Sequence, residues 1–370
     1  MGARYWPALD GLRALSIILV LTVHTHDPMW ESFNGALGVT LFFAISGFLI
    51  TTLLLREEHR GGRISLSKFY IRRFFRIVPL YALALITFSL LVIGLGQGTG
   101  AGNYLERLPL LATFNGEFAG SGTFSHSWSL GIEEKFYLVW PALAFGIPLV
   151  RRFRGRAVAI LAPVAAVASF VPNVGYFGIY FPIIGGCALA IAANAESTFR
   201  YVYALARPAA VYALFGCLII VLFVDESLPL VETNRYAHTL FGLVAVLVLP
   251  GVLLSRTWIQ RLLANRAVAH YGTRAYAIYL FHPLCLELVD RAIAPGTGGV
   301  LLQLARFAGV FVLSLATAEV LARLVENPAI ALGRRIIERS SSSDDATGPV
   351  PTTTQTQQPL PQTGTQPPRR

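Results

Sequence analysis

The feature that most constrains this chain is a series of long apolar stretches separated by short basic segments. Each stretch is about 17–25 residues long, which is the length a helix needs to cross a hydrocarbon core of roughly 30 Å. Apolar residues make up 54% of the chain and charged residues only 14%, whereas soluble domains carry about a quarter charged residues. The sequence therefore predicts an all-α, polytopic integral membrane protein with the lipid bilayer as its surroundings.

About ten transmembrane helices are predicted. They cover residues 10–28, 36–55, 78–96, 129–149, 157–171, 176–193, 209–224, 237–254, 270–290 and 299–324. Residues 1–339 then form one transmembrane domain. Residues 340–370 contain no aromatic residue and are rich in Pro, Thr, Gln and Ser, so they cannot bury a core and are predicted to be a disordered tail.

The net charge of +10 raises the question of a nucleic-acid partner, but the placement of the charges argues against one. With a cytoplasmic N-terminus, the inner loops hold sixteen Lys and Arg residues and the outer loops three. This asymmetry is the usual topology signal of membrane proteins. It predicts a multi-pass protein of the inner (plasma) membrane with both termini in the cytoplasm.

The first predicted span carries Arg13 and His24, and an ionisable residue inside a span is costly enough to be a functional candidate. The two residues are 11 positions apart, so they share one helix face at a separation of roughly 16 Å. Asp10 precedes Arg13 by three residues and can pair with it. The alternative is structural: Arg13 reaches the lipid headgroups and His24 is a satisfied core histidine.

Three arginines, Arg72, Arg73 and Arg76, come just before the third predicted span. Arg73 and Arg76 are one helical turn apart, and guanidinium groups bind phosphate in a bidentate manner. A cytosolic, phosphate-bearing donor is one interpretation. A topology signal that contacts lipid headgroups is the other.

The fourth predicted span begins with a charged segment that includes Glu133, Glu134 and Lys135. Adjacent helical residues point about 100° apart, so we expect at most one glutamate to face a given pocket. The alternative is that both carboxylates simply favour a helix N-terminus. Near the chain's end, Glu319 and Arg323 have the spacing of an i,i+4 ion pair.

Metal chemistry is not expected. The three cysteines, Cys187, Cys217 and Cys285, are scattered through apolar stretches and have neither the spacing of a metal motif nor that of a disulfide framework.

Six motifs in order along residues 5–328 resemble the membrane acyltransferase 3 family. They are Asp10-Gly11-Leu12-Arg13 with His24, Gly38 to Ile50, Phe69 to Tyr81, His126 to Tyr137, Tyr279-Leu280-Phe281-His282-Pro283, and Glu326-Asn327-Pro328. The resemblance implies about ten helices, a cytoplasmic acyl-CoA donor such as acetyl-CoA, and an acceptor hydroxyl on the outer side. The acceptor classes it implies are surface glycans, other polysaccharides and macrolide sugars.

The same resemblance assigns roles to residues. The essential Arg and His of the family's first helix correspond to Arg13 and His24, and we add Glu134 as a third catalytic candidate. Its paired arginines correspond to Arg73 and Arg76, and Arg72 beside them completes the predicted donor site. Two departures stand out: Thr40 replaces an Asp that the family often has, and we expect no extracellular esterase-like domain after the helices.

The alternative function is a transporter or channel with a proton or ion path lined by Arg13 and His24. Transporters often have halves related by a repeat in hydropathy, and no such repeat is apparent in this sequence. The prediction is therefore a membrane O-acyltransferase that acts on a carbohydrate or glycosylated acceptor.

Overall fold

The protein is all-helical throughout the part of the chain that the computed structural model describes, residues 5–26, 28–30, 34–62, 64–171, 175–223 and 234–346. No strand occurs in those ranges. Their α-helices are α1 Pro7–His24, α2 Leu37–Gly61, α3 Leu66–Ser89, α4 Tyr104–Ala112, α5 Trp128–Pro141, α6 Pro148–Ala168, α7 Phe181–Asn194, α8 Glu196–Ala204, α9 Pro208–Leu222, α10 Asn234–Leu254, α11 Trp258–Leu263, α12 Arg266–Thr273, α13 Ala275–Asp290, α14 Val300–Leu321 and α15 Asn327–Ala346.

Among the described residues, five helical segments are long and apolar enough to cross a membrane: Pro7–His24, Leu37–Gly61, Leu66–Gly94, Ala237–Leu254 and Val300–Ser340. A sixth crossing is made if Gly178–Asn194 and Glu196–Ala204, which meet at 114°, count as one span. The predicted number of ten is therefore not confirmed. The other predicted spans correspond to helices that are short, charged or broken, such as the 15-residue α9 and the ninth span, which divides into α12 and α13.

Helix α3 begins twelve residues earlier than the predicted third span. The Ser65 side chain caps it by accepting a hydrogen bond from the backbone N–H of Lys68 at 3.4 Å. The helix then runs to Ser89 and continues as a π-helical segment over Leu90–Gly94. The arginines predicted to precede the span thus lie inside α3, where the helix fixes which of them share a face.

Close backbone contacts at glycines hold the centre of the molecule together. A Cβ at Gly47 of α2 would lie 1.9 Å from the carbonyl oxygen of Ile183 on α7, and one at Gly186 of α7 would lie 2.3 Å from that of Ala44. Small residues at such crossings let two helices approach until their backbones touch. Gly47, in the second motif, is therefore required by the close contact between α2 and α7.

Helix α1 is fixed in the same way on its other side. A Cβ at Gly11 would lie 2.0 Å from the carbonyl oxygen of Leu263 on α11, and one at Gly272 of α12 would lie 1.7 Å from that of Asp10. Gly11, the glycine of the first motif, and Gly272 thus allow α1 to pack closely against α11 and α12, next to the Arg13 side chain.

Helix α15 packs against α3, where Gly333 lies against the ring of Phe75. The helix continues to Ala346 and so extends into the first residues of the predicted tail. Residues 347–370 lie outside the described part of the chain, and their disorder stays a prediction.

Candidate active site

A cavity of about 1240 Å³, the larger cavity, lies between the start of α1, the end of α2, the first turns of α3 and the start of α15. Three acidic residues line it, Asp10, Glu57 and Glu326, against eight arginines: Arg13, Arg56, Arg60, Arg72, Arg73, Arg76, Arg274 and Arg334. Such an excess of guanidinium groups around one cavity creates a binding site for an anion with several charges.

The arginines of α3 are not equivalent. Arg72 forms an ion pair with Glu57 at 3.1 Å. The guanidinium of Arg73 instead lies over the ring of Tyr137, with its carbon 5.0 Å from the ring centroid. Among the described residues, neither Arg73 nor Arg76 has a carboxylate within ion-pair distance, so both are available to a ligand.

A second cavity of about 100 Å³, the smaller cavity, is also lined by Arg13, Arg73 and Arg76 and extends from them toward Tyr279. Glu133 and Glu134 both line it, so the expectation that at most one glutamate would face a given pocket is wrong. Two side chains 100° apart can line one cavity when it wraps around the helix between them.

Glu133 accepts a hydrogen bond from the hydroxyl of Ser46 on α2. The Tyr137 hydroxyl donates to the same Ser46 oxygen at 3.1 Å. These contacts hold Glu133 in place, whereas Glu134 lines the smaller cavity with no side-chain hydrogen bond among the described residues.

His24 lines neither cavity and lies at the opposite end of α1 from Arg13. Its ring is in edge contact with that of His282 on α13, with centroids 4.6 Å apart. The ring of His126 lies 5.4 Å from that of His282, centroid to centroid. His24, His126 and His282 form the histidine cluster, in which His282 has no exposed surface.

Tyr279 stands between the smaller cavity and the histidine cluster. It lines that cavity, and its ring lies 5.7 Å from His126 and 5.9 Å from His282, centroid to centroid. Its hydroxyl is 2.7 Å from that of Ser129 and also donates to the backbone carbonyl of His126. The fourth and fifth sequence motifs therefore meet at this tyrosine.

The described residues hold no group of three His, Cys, Asp or Glu side chains with the geometry of a metal site.

The structure brings part of the predicted site together. Arg13, Arg72, Arg73 and Arg76 surround the larger cavity, and three of them also share the smaller one with Glu134. His24 is separate from all of these.

Sequence reasoning did not place His126 and His282 beside His24, although each lies in one of the six motifs and has aromatic neighbours in the chain. It also paired Glu319 wrongly: that carboxylate binds Arg274 at 2.9 Å and His270 at 2.5 Å, both from the α12–α13 region. In each case the partner is distant in sequence, and no local spacing reveals it.

Comparison with known proteins bears on this site. A family model described as an acyltransferase domain matches residues 6–322. The chain is 25% identical over 354 residues to the peptidoglycan O-acetyltransferase OatA of Listeria monocytogenes, covering 88% of this chain and 56% of that protein. It is 27% identical over 309 residues to the putative peptidoglycan O-acetyltransferase YrhL of Bacillus subtilis, covering 75% and 48%.

A putative O-acetyltransferase of Staphylococcus aureus is 27% identical over 327 residues, covering 79% of this chain and 52% of the relative. The chain thus spans about half the length of the curated relatives it matches. No solved structure matches it significantly.

Proposed function

Because this chain belongs to the acyltransferase family, as its sequence motifs predicted, we propose that it is a membrane O-acyltransferase. It moves an acetyl group from cytoplasmic acetyl-CoA to a hydroxyl of a glycan. The observation that carries the proposal is the arginine-lined larger cavity, which shares Arg13, Arg73 and Arg76 with the adjacent smaller cavity. A large polyanionic donor with a narrow acyl-bearing arm matches that shape and charge.

The donor phosphates are assigned to Arg73 and Arg76, the two α3 arginines without a carboxylate partner among the described residues. Arg72 contributes less to donor binding because Glu57 already neutralises its charge. Arg13 lines both cavities, and its ion pair with Asp10 at 2.9 Å fixes the position of its guanidinium beside them while neutralising its charge. Glu134 lines the smaller cavity beside these arginines, so we assign it to positioning them rather than to contact with His24.

His24 is the proposed general base. A sugar hydroxyl is a poor nucleophile at neutral pH, and an imidazole can remove its proton as the new bond forms. The acceptor oxygen bonds to the thioester carbon, its proton goes to Nε2 of His24, the carbon–sulfur bond breaks, and the CoA thiolate leaves and is protonated. The relatives OatA and YrhL carry peptidoglycan in their names, which favours a cell-wall or surface glycan over a macrolide sugar as acceptor.

The orientation proposed is an inner-membrane protein with both termini in the cytoplasm. In its support, Tyr5 and Trp6 before α1 and Arg334 of α15 line the same larger cavity, so both ends of the helical domain lie on one side. Basic loops mark that side as cytoplasmic. A reporter fused after Ala346 should respond as a cytoplasmic protein; an external response would reverse the donor side.

The test of the function is transfer by the reconstituted protein. Liposomes containing the purified chain receive radiolabelled acetyl-CoA on one face and a soluble peptidoglycan fragment or oligosaccharide on the other. We expect label in the glycan and one free CoA thiol per acetyl transferred. Donor binding without transfer to any glycan offered would overturn the acceptor class, and no donor binding would overturn the proposal itself.

The transporter alternative is not favoured by membership of this family. The same liposomes test it, because a proton or ion path would produce flux in the absence of acetyl-CoA.

A further inference from the structure

The histidine cluster contains a buried nitrogen without a hydrogen-bond partner among the described residues. It is Nε2 of His282, and a buried polar atom left without a partner costs about 1–3 kcal/mol. The residue lies on α13, where its ring is packed against His24 on one side and His126 on the other. A cost of this size at the centre of a candidate site indicates that Nε2 of His282 has a function there.

The hydrogen bonds of His24 and His282 fix which nitrogen of each ring carries the proton. Nδ1 of His24 is 2.8 Å from the carbonyl oxygen of Val20, and Nδ1 of His282 is 2.8 Å from that of Tyr279. A carbonyl oxygen only accepts, so both Nδ1 atoms donate. In the neutral rings both Nε2 atoms then carry lone pairs.

The third ring follows the same rule. Nε2 of His126 is 3.2 Å from the carbonyl oxygen of Leu280, so Nδ1 of His126 carries the lone pair. Each neutral ring of the cluster therefore keeps one nitrogen with a lone pair, and no ring N–H is left over to donate to a neighbouring ring.

The ionisable groups around the cluster are few. His24 and His126 face His282 from other elements, Tyr279 faces it from its own helix, and His26 is the next ionisable group to His24. Among the residues the structure describes, no carboxylate, lysine or arginine forms a hydrogen bond to any of the three rings. Within that part of the chain, an imidazolium formed at His24 would therefore be stabilised by the neighbouring rings rather than by an ionised side chain.

We propose that His282 is a positioning residue that shares the proton His24 takes from the acceptor. The inference rests on the proposed function. When the acceptor oxygen bonds to the thioester carbon, its proton moves to Nε2 of His24, and that N–H then donates to the free Nε2 of His282. When the carbon–sulfur bond breaks, His24 returns the proton to the thiolate sulfur, so that atoms and charge balance. His282 stabilises the transient imidazolium and makes His24 a stronger base.

Two substitutions separate this role from simple packing. His282→Gln keeps an acceptor oxygen near the place of Nε2, whereas His282→Phe keeps the ring shape and removes the acceptor. Proton sharing predicts that His282→Gln retains several-fold more activity than His282→Phe, while packing of an aromatic ring predicts the reverse order. His238→Gln is the matched control, since His238 is a partly buried histidine bonded to Thr40 at 2.7 Å in another part of the molecule.

The pH profile supplies the decisive readout. A base must be neutral to act, so the transfer rate falls on the acid side as His24 becomes protonated. Without His282 to stabilise the imidazolium, that acid limb should move to lower pH by about one unit and the maximal rate should fall about tenfold or more. His238→Gln should leave the limb where it is. Profiles of wild type and His282→Phe with the same acid limb would overturn the proposal.

A second measurement is independent of activity. Ring-labelled histidine in the resting, detergent-solubilised protein is titrated by NMR, and the His24 signal is assigned with His24→Ala. Its titration midpoint should be lower in His282→Phe than in wild type, and an unchanged midpoint would overturn the shared proton. If the wild type transfers no acetyl group, the proposed function fails, and this titration still decides whether the two rings share a proton.

Discussion

The two ends of α1 meet opposite kinds of surroundings. At Arg13 the helix opens on a cavity of about 1240 Å³ lined by eight arginines. At His24 it enters a closely packed group of three imidazoles without a neighbouring ion pair among the described residues. The arginine end suits the capture of a charged donor from water, and the histidine end suits proton transfer away from water. Under the proposed function, donor binding and chemistry therefore lie in separate regions joined by one helix.

The largest effect should come from the histidine end. His24→Ala removes the proposed base, so transfer should fall about 100- to 10,000-fold, while donor affinity stays unchanged because the arginine end is intact. Initial rates with labelled acetyl-CoA and equilibrium donor binding, both on reconstituted protein, measure the two quantities separately. His26→Ala is the control, since His26 is exposed two residues away. A near-normal rate in His24→Ala would remove the chemistry from this end of the helix.

The arginine end should give the converse result. Arg73→Ala removes a charge-assisted contact worth about 1.5–3 kcal/mol, so the dissociation constant of acetyl-CoA should rise about 10- to 150-fold. Arg76→Ala should behave similarly, and the rate at saturating donor should fall far less than in His24→Ala. Arg200→Ala serves as control because this exposed arginine binds Tyr201 away from both cavities. Unchanged donor affinity in the Arg73, Arg76 double variant would place the donor elsewhere.

The comparison also requires that both ends of α1 are held in one rigid helical framework. A substitution at Gly47 tests this requirement. In Gly47→Ala the new Cβ would lie 1.9 Å from the Ile183 carbonyl oxygen, so α2 and α7 must separate, at a cost of about 1–3 kcal/mol. A lower thermal unfolding temperature in detergent is expected. Gly216→Ala on α9 is the matched control, because a Cβ there meets nothing within 4 Å. Equal unfolding temperatures would show that this crossing does not limit stability.

The smallest effect should follow from releasing Arg72. Its side chain is 46% exposed and that of Glu57 33%, and exposed pairs of this kind contribute about 0.2–1 kcal/mol. Glu57→Gln frees the guanidinium for the donor, so acetyl-CoA should bind up to about fivefold tighter. Glu287→Gln, which breaks the exposed pair with Arg291 far from the cavity, should change nothing. Weaker donor binding in Glu57→Gln would mean that the pair itself holds the site open.

What the sequence revealed about these two regions differs for a physical reason. The arginines of α3 are neighbours in the chain, and their spacing predicted a shared face, with phosphate binding as one of two interpretations. The histidine cluster joins residues 24, 126 and 282, and its assembly depends on tertiary packing that no periodicity encodes. His24 was found because an ionisable residue in an apolar helix is unusual and because the family resemblance assigned it a role. His126 lies outside a predicted span and does not give the first of these signals.

The helices show the same division. Apolar stretches predicted the all-helical fold, because burial in lipid leaves the backbone no other partner. Their ends were predicted less well. The start of α3 at Leu66 was missed because the basic residues of its first turns resemble those of a loop. The break at Arg274 between α12 and α13 was missed because the hydropathy of this stretch is continuous.

The single helix α1 carries both Arg13 and His24 and therefore fixes the distance between them. Eleven residues separate the two side chains, and an α-helix turns that into a fixed span of roughly 16 Å. A donor anchored by its phosphates at one end delivers its acyl group only if its arm matches that span. If the proposed function holds, small activated donors such as acetyl phosphate would bind the arginines and still leave their acyl carbon far from His24, so that donors would be selected by the length of the arm that carries the acyl group.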